Sequence, residues 1–354
     1  MPVQKVEPNF ERLRTALLAG EPDRVPLLEL AIDRSIQSAF LGRPVVTLED
    51  VVEFHIRAGY DAVRLQPKID MNPGKFQPRE GMRISEASET DRERRWYSEG
   101  TGIITSMEDF ERYIWPRPED VDYSPLEQAA KLIPDSMALI GQYGDIFTWI
   151  WEMMGFETFS FAIYENPELI ECMFEKVGSI VYNLFENMVT MEKVKALWYS
   201  DDIAFKSGLL VSPELLRKYL FPWMKKIGEL CRKYNVPFIY HSDGKLWDVM
   251  EDLLDCGIHA LHPIEPQAMD IREVKRRYGD RLCLIGNVDL EYTLTRGTPE
   301  DVRKEVLALL RDVAPGGGYC LGSANTVTNY VKPENYRTMV ETVLEFGWYP
   351  IQIN

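Results

Sequence analysis

The chain lacks the marks of several large function classes. It carries 40 lysine and arginine residues against 56 aspartate and glutamate, a formal net charge of −16. A nucleic-acid binder shows the opposite balance or a concentrated basic stripe. The densest basic cluster, "VKRRYGDR", is short, is broken by Asp280, and reads as a solvated helix end. No run of 18 apolar residues occurs, and the first 26 residues hold no apolar segment of the signal-peptide kind. No nucleic acid, no membrane and a cytoplasmic location are the expectations. The five cysteines, Cys172, Cys231, Cys256, Cys283 and Cys320, are odd in number and never at CxxC spacing. That fits a reducing compartment without disulfides. GxGxxG, GxSxG, HExxH and the Walker loop are all absent, which sets aside the commonest nucleotide, serine-hydrolase and zinc-protease chemistries.

What is present is alternation. Eight short apolar runs recur: "VPLLELA" (25–31), "DAVRLQP" (61–67), "MALIGQY" (137–143), "KALWYSD" (195–201), "PFIYHSD" (237–243), "IHALHPI" (258–264), "RLCLIGN" (281–287) and "GYCLGSA" (318–324). Each is too short for a buried helix and most lack clean alternation, as strands covered on both faces do. Between them lie helical patterns. "SPELLRKYLFPWMKKIGELCRKYN" opens on Ser212. "TPEDVRKEVLALLRDV" opens on Thr298 with Pro299 behind it, and "KPENYRTMVETVLEFG" closes on Gly347. Eight strand–helix units predict an α/β fold, a (β/α)8 TIM-type barrel, with an open doubly wound sheet as the alternative. One domain over 1–354 is expected. It has an N-terminal helical extension (1–24) and an inserted hairpin (82–100).

Barrel chemistry sits at the carboxyl ends of the strands. Those ends supply Glu29, Gln142 followed by Asp145 and Glu152, Asp201 and Asp202, His241 and Asp243, Glu265, Asn287 and Asp289, then Ser323 and Asn325; Arg34 and Lys245 are the nearby bases. "FIYHSDGK" is the sharpest stretch. Residues i and i+2 of a strand share a face, so His241 and Asp243 can both enter the mouth. An imidazole and a carboxylate there suit a divalent cation or a proton-transfer pair. The competing reading is a buried histidine and an aspartate that caps the next helix. His259 and His262, three apart, face opposite ways, and His259 reads as structural. Of the adjacent Asp201 and Asp202, at most one points inward.

Taken in order, "DRVP" (23–26), "GQYGDIFTWIWEMMGFE" (141–157), "HSDG" (241–244), "GNVD" (286–289), "GTPEDVRKEV" (297–306) and "GGGY…KPEN" (316–335) resemble the uroporphyrinogen decarboxylase superfamily. That group includes the decarboxylases and the corrinoid-linked methyltransferases. The resemblance implies the same barrel and makes a homodimer reasonable. The decarboxylases' Arg-Gln-Ala-Gly-Arg-Tyr stretch is missing after "DRVP". Glu152 stands where they place a tyrosine, and "GSAN" replaces their Gly-His. The zinc methyltransferases carry His-x-Cys where this chain reads His241-Ser242-Asp243, and a further Cys where it reads Asn325. Both thiolates are thus exchanged for harder or neutral groups, and Cys320 lies five residues too early to substitute.

Charge argues in the same direction. Uroporphyrinogen carries eight carboxylates and needs a basic mouth. A like-charge pair at 4 Å costs about 4 kcal/mol at an effective dielectric of 20. Arg34 and Lys245 are the only bases near the mouth, and residues of "RERR" (92–95) would be needed in addition. The expectation is therefore a methyltransferase. Catalytic roles fall to His241, Asp243, Glu152 and Asp289. A divalent metal, zinc by first choice, would sit on His241, Asp243, Glu265 and Asp201. Substrate contacts are expected from Glu29, Arg34, Gln142, Asp202, Asn287 and Asn325. The substrate would be a small methylated molecule, and a separate partner protein would carry the corrinoid. Decarboxylation of uroporphyrinogen or a smaller acid, and a non-catalytic ligand-binding barrel, are the alternatives.

Overall fold

The computed structural model describes residues 6–76 and 102–353; the hairpin expected at 82–100 lies outside them. The strands are β1 (Ala62–Leu65), β2 (Ala138–Gly144), β3 (Val194–Ser200), β4 (Ala204–Phe205), β5 (Gly208–Leu209), β6 (Phe238–His241), β7 (Ala260–His262), β8 (Cys283–Ile285) and β9 (Tyr319–Cys320). Seven of them form one sheet in the order β1-β2-β3-β6-β7-β8-β9, and every neighbouring pair is parallel. β4 and β5 form a small antiparallel hairpin at the mouth.

The eighth position belongs to the stretch after Arg24. It was expected as a strand over 25–31 but makes only bridges, Leu27 to Leu321 and Ile32 to Val327, both parallel. Pro26 explains part of the shortfall, because it has no N–H to donate to a ladder. Its carbonyl still accepts from Leu321 N at 2.9 Å. The result is the (β/α)8 barrel, with strands covered by helices.

Parity along the strands divides the core in two. Ala62, Ala138, Ile140, Ala196, Trp198, Ile239, Ala260, Cys283, Ile285 and Cys320 point inward and pack together. Phe10, Leu13, Ala16 and Leu17, from the helix Phe10–Leu17, plug that interior from below. Residues of the other parity, such as Val63, Leu139, Leu197, Phe238 and Leu261, join the outer core under the helices. Each large apolar side chain so buried is worth about 1.5–3 kcal/mol.

The helices begin where their caps predict. Thr298 accepts from Asp301 N while Asp301 accepts from Thr298 N, a capping box at the head of Pro299–Asp312. One expected helix is interrupted. After Pro213–Leu215, residues Leu216–Leu220 form a π-turn, and Phe221–Tyr234 continues in α form. Pro222 stands at the start of the last segment and has no N–H for the carbonyl a turn earlier, so the ladder widens there. All five cysteines are free. Among the described residues no helix is long and apolar enough to cross a membrane.

Candidate active site at the barrel mouth

Continuing the inward parity upward by one step exchanges apolar side chains for polar ones. Arg64, Gln142, Ser200, His241 and His262 follow Ala62, Ile140, Trp198, Ile239 and Ala260. Ser200, His241 and His262 are successive register partners across β3, β6 and β7. Arg64 donates to Gln142 Oε1 at 2.6 Å, and Gln142 Nε2 donates to Ser200 Oγ at 3.1 Å. His241 Nδ1 lies 2.7 Å from His262 Nδ1.

That last contact constrains protons. One hydrogen can lie between the two nitrogens, so one ring donates and the other accepts. His262 is fully buried against Trp198, with ring centroids 5.2 Å apart. Burial and then the neighbouring His241 hold its pKa well below the ordinary imidazole value, so it stays neutral. With the shared proton on His241 Nδ1, the lone pair of His241 Nε2 faces outward. There it meets Asp202 Oδ1 at 3.5 Å and Asp243 Oδ1 at 3.8 Å.

These three residues form a compact set. One ligand atom from each lies within 4.8 Å of the others. The separations exceed ordinary hydrogen bonds. They are close to the ~3.4 Å that two ligands on bonds of about 2.1 Å subtend at a tetrahedral centre. Both carboxylates are braced. Asp202 Oδ1 accepts from Asp243 N at 2.8 Å. Asn325 Nδ2 donates to both oxygens of Asp243, at 2.7 and 2.8 Å. Asp243 therefore does not cap a following helix. The next residue, Gly244, has φ of +88°, and a Cβ there would come within 2.6 Å of the Ala204 backbone. Only glycine lets the chain turn so closely under the hairpin.

The remaining candidates separate into groups. Asp201, adjacent to Asp202, points the other way. It accepts from Phe147 N (2.7 Å), Thr148 N (3.0 Å), Thr148 Oγ1 and Tyr199 OH, which fixes the start of the helix Ile146–Met154. Burial still lifts its pKa to about 6. Glu265 accepts from Gly244 N at 2.8 Å and so supports the turn beside the set. Glu29 accepts from Ser323 N (2.8 Å) and pairs with Ser323 Oγ (2.6 Å). Ser323 Oγ in turn reaches Asn325 O at 3.2 Å.

Asp289 is drawn away by Gln267 and by three backbone N–H groups, those of Glu291, Tyr292 and Thr293. Asn287 donates to Ile264 O. Arg34 is exposed at the start of the half-buried helix Arg34–Leu41 and donates to Val46 O. Glu152, on the helix that Asp201 caps, is within electrostatic reach of Asp145. His259 accepts from Phe238 N, a structural role. The cysteines stand apart: Cys320 is buried within the barrel, 3.9 Å from the sulfur of Cys283.

A profile of the uroporphyrinogen decarboxylase (URO-D) family matches residues 100–346. The chain belongs to this family. Among its relatives, the uroporphyrinogen decarboxylase of Pseudoalteromonas translucida is 27% identical over 189 residues, covering 52% of this chain and 50% of that protein. The match thus spans about half of that relative's length. The uroporphyrinogen decarboxylase of Psychromonas ingrahamii is 24% identical over 271 residues, covering 71% of this chain and 73% of that one. Among solved structures, a methyltransferase from Methanosarcina mazei superposes with a TM-score of 0.67 at 19% identity, over 95% of this chain and 98% of that one. This last likeness speaks for the fold. The family is named for an enzyme, uroporphyrinogen decarboxylase.

Proposed function

We propose that this URO-D family enzyme is a metal-dependent methyltransferase. In this reading it moves a methyl group between a small methylated substrate and a corrinoid held by a partner protein. The observation that carries the reading is the Asp202–His241–Asp243 set, spaced as ligands rather than as hydrogen-bonded partners. One imidazole with two carboxylates fits a borderline or hard divalent cation, zinc by first choice. With no thiolate in the set, it does not fit the softer thiolate–zinc chemistry. A cation bound there would polarise the atom that carries the methyl group.

The chain's own residues do the rest. His262 accepts the His241 Nδ1 proton and so turns the Nε2 lone pair toward the cation. Asn325 holds both oxygens of Asp243, which fixes the carboxylate's angle. Asp243 N holds Asp202 in the same way. Glu29 and Ser323 anchor the backbone at Asn325.

Decarboxylation is the second reading, favoured by the names of the curated relatives. It needs positive charge facing the substrate, and the described mouth sets Arg64 among the more numerous carboxyl groups of Asp145, Asp201, Asp202 and Asp243. Elemental analysis of purified protein decides between them when joined to an assay with reduced free cobalamin and methoxylated donors. About one equivalent of divalent metal, together with a methylcobalamin spectrum that requires it, is the expected result. Coproporphyrinogen formation by metal-free protein would overturn the reading.

A further inference from the structure

Beside the metal set lies a cavity of about 340 Å³ that the reading above leaves unused. Its wall includes Gln66, Lys68, Gln142, Tyr143, Asp145 and Trp149. The volume is at the lower end of the range for small-molecule sites.

Asp145 decides its chemistry. The residue is held in the left-handed region, φ 69° and ψ 36°. Its N–H donates to Ser200 O at 2.6 Å and its carbonyl accepts from Trp149 N at 2.8 Å, so the backbone is pinned on both sides. Strained backbone of this kind costs of order a kcal/mol or more and persists where the surroundings enforce it. Asp145 stands at the N-cap position of Ile146–Met154, yet its side chain does not cap that helix. Asp201 reaches across and takes the N–H groups instead. The Asp145 carboxyl is thereby released to line the cavity.

The charges that act most on it are of one sign. Burial first, and then the neighbouring carboxylates of Asp201, Asp202 and Glu152, hold its pKa well above the ordinary aspartate value, and its ionised form is favoured when a cation enters beside it. Lys68 is nearer solvent, its side chain 72% exposed and paired with Asp122 at 3.4 Å. Arg64 is engaged by Gln142. Tyr143 is buried next to Asp145, and Trp149 lines the same wall, so two aromatic side chains face the cavity. A carboxylate beside aromatic faces is the pairing that recognises alkylated ammonium, through charge and cation–π attraction together. The overall −16 charge favours arrival of a cation.

We infer that this cavity binds a small N-alkylated ammonium compound, with Asp145 as counter-charge and Tyr143 and Trp149 as the aromatic wall. The inference rests on the mouth being the substrate site and narrows the substrate class from methylated molecules to cationic ones.

The test uses the full, metal-loaded chain and calorimetric titration with two probes of equal shape: choline, and its neutral carbon analogue 3,3-dimethylbutan-1-ol. Choline should bind at least tenfold more tightly than the analogue. Asp145→Asn should erase that preference, and asparagine is tolerated in the left-handed region, so the backbone is kept. Trp149→Ala should weaken choline several-fold, whereas Tyr143→Phe, which keeps the ring, should retain most of the affinity. Equal binding of the two probes, binding of neither, or wild-type affinity in Asp145→Asn would overturn the inference. The metal reading fails separately: Asp145→Asn should leave metal content unchanged, and His241→Ala should lose metal while still binding choline.

Discussion

The two ends of the barrel bury carboxylates in opposite company. At the closed end, Asp61 is fully buried between two guanidinium groups. Arg12 donates to it at 2.6 Å, and Arg24, itself fully buried, stands 3.9 Å away. At the open end Asp145, Asp201, Asp202 and Asp243 gather with Glu152 near Asp145, and no guanidinium is bonded to any of the four aspartates among the described residues. The lower cluster is balanced and holds the plug helix to the barrel. The upper cluster is held by N–H and hydroxyl donors, and burial lifts the pKa of Asp145 and Asp201 within it. Carboxylates gathered in this way are accommodated by solvent, protons or cations. The lower cluster thus serves the fold throughout, whereas in the upper one Asp201 serves the fold and Asp202 and Asp243 are the proposed ligands.

The strongest way to break this comparison is at the closed end. Asp61→Ala leaves Arg24 buried with only the half-exposed Asp23 as counter-charge and removes the acceptor of Asn9 N and Arg12. Breaking one side of a buried pair costs about 3–5 kcal/mol. Urea denaturation should show that loss, while the metal content of the surviving folded protein stays the same. A loss under ~1 kcal/mol would mean the lower cluster is not structural.

At the open end the signs reverse. His241→Ala should lower metal affinity by at least about 100-fold, because one of three ligands is gone, with the unfolding midpoint nearly unchanged. Metal stoichiometry after dialysis and a thermal melt are the two readouts. A large fall in melting temperature with metal retained would return His241 to the role of a core histidine.

A smaller effect is expected one step out. Asn325→Ala removes both hydrogen bonds to Asp243 but no ligand. Such supporting contacts are typically worth 10–100-fold in metal affinity. The lower end, about tenfold, is expected here because Asp202 and His241 remain in place. A chelator competition titration would measure it. No change would show that Asp243 orients itself.

These contrasts also mark what a reader of the residues alone can recover. Barrel parity was legible because buried parallel strands read as apolar runs, and seven of eight runs contain a ladder strand. The first does not, since Pro26 interrupts its donors. The π-turn at 216–220 was hidden in an unbroken amphipathic pattern. At the site, His241 and Asp243 were visible as an i, i+2 pair on one strand. The choice between Asp201 and Asp202 was not, because it depends on how the chain leaves β3, and that is set by the helix start at Phe147 and Thr148. His262 was read against His259, three residues away on its own strand. Its real partner is His241 on the next strand, and the available signal was that both end their strands. Asp145 carried no signal beyond its place after Gly144, since a left-handed aspartate follows from tertiary contacts.

The least conspicuous carboxylate gives the finest test. Glu29 is buried at the rim, and desolvation raises its pKa from the ordinary 4.5 to about 8, against the opposing pull of Ser323. A neutral Glu29 can donate through Oε2 to Ser323 Oγ, leaving the serine hydroxyl to reach Asn325 O. In the unfolded chain the same group is ionised above about pH 4.5. The folded state therefore holds a proton that the unfolded state has lost, and stability falls as pH rises toward the folded value. Between pH 7 and pH 8, above the range where Asp201 titrates, the fall should be about 1 kcal/mol, given roughly 1.4 kcal/mol per pH unit as the ceiling for one group. Glu29→Gln keeps a donor and an acceptor in place and removes the titration. Its stability should be flat across that interval by urea denaturation at each pH. If the variant retains the same slope, the proton belongs elsewhere in the mouth, and Glu29 joins Asp61 among the carboxylates that stay charged to hold the fold.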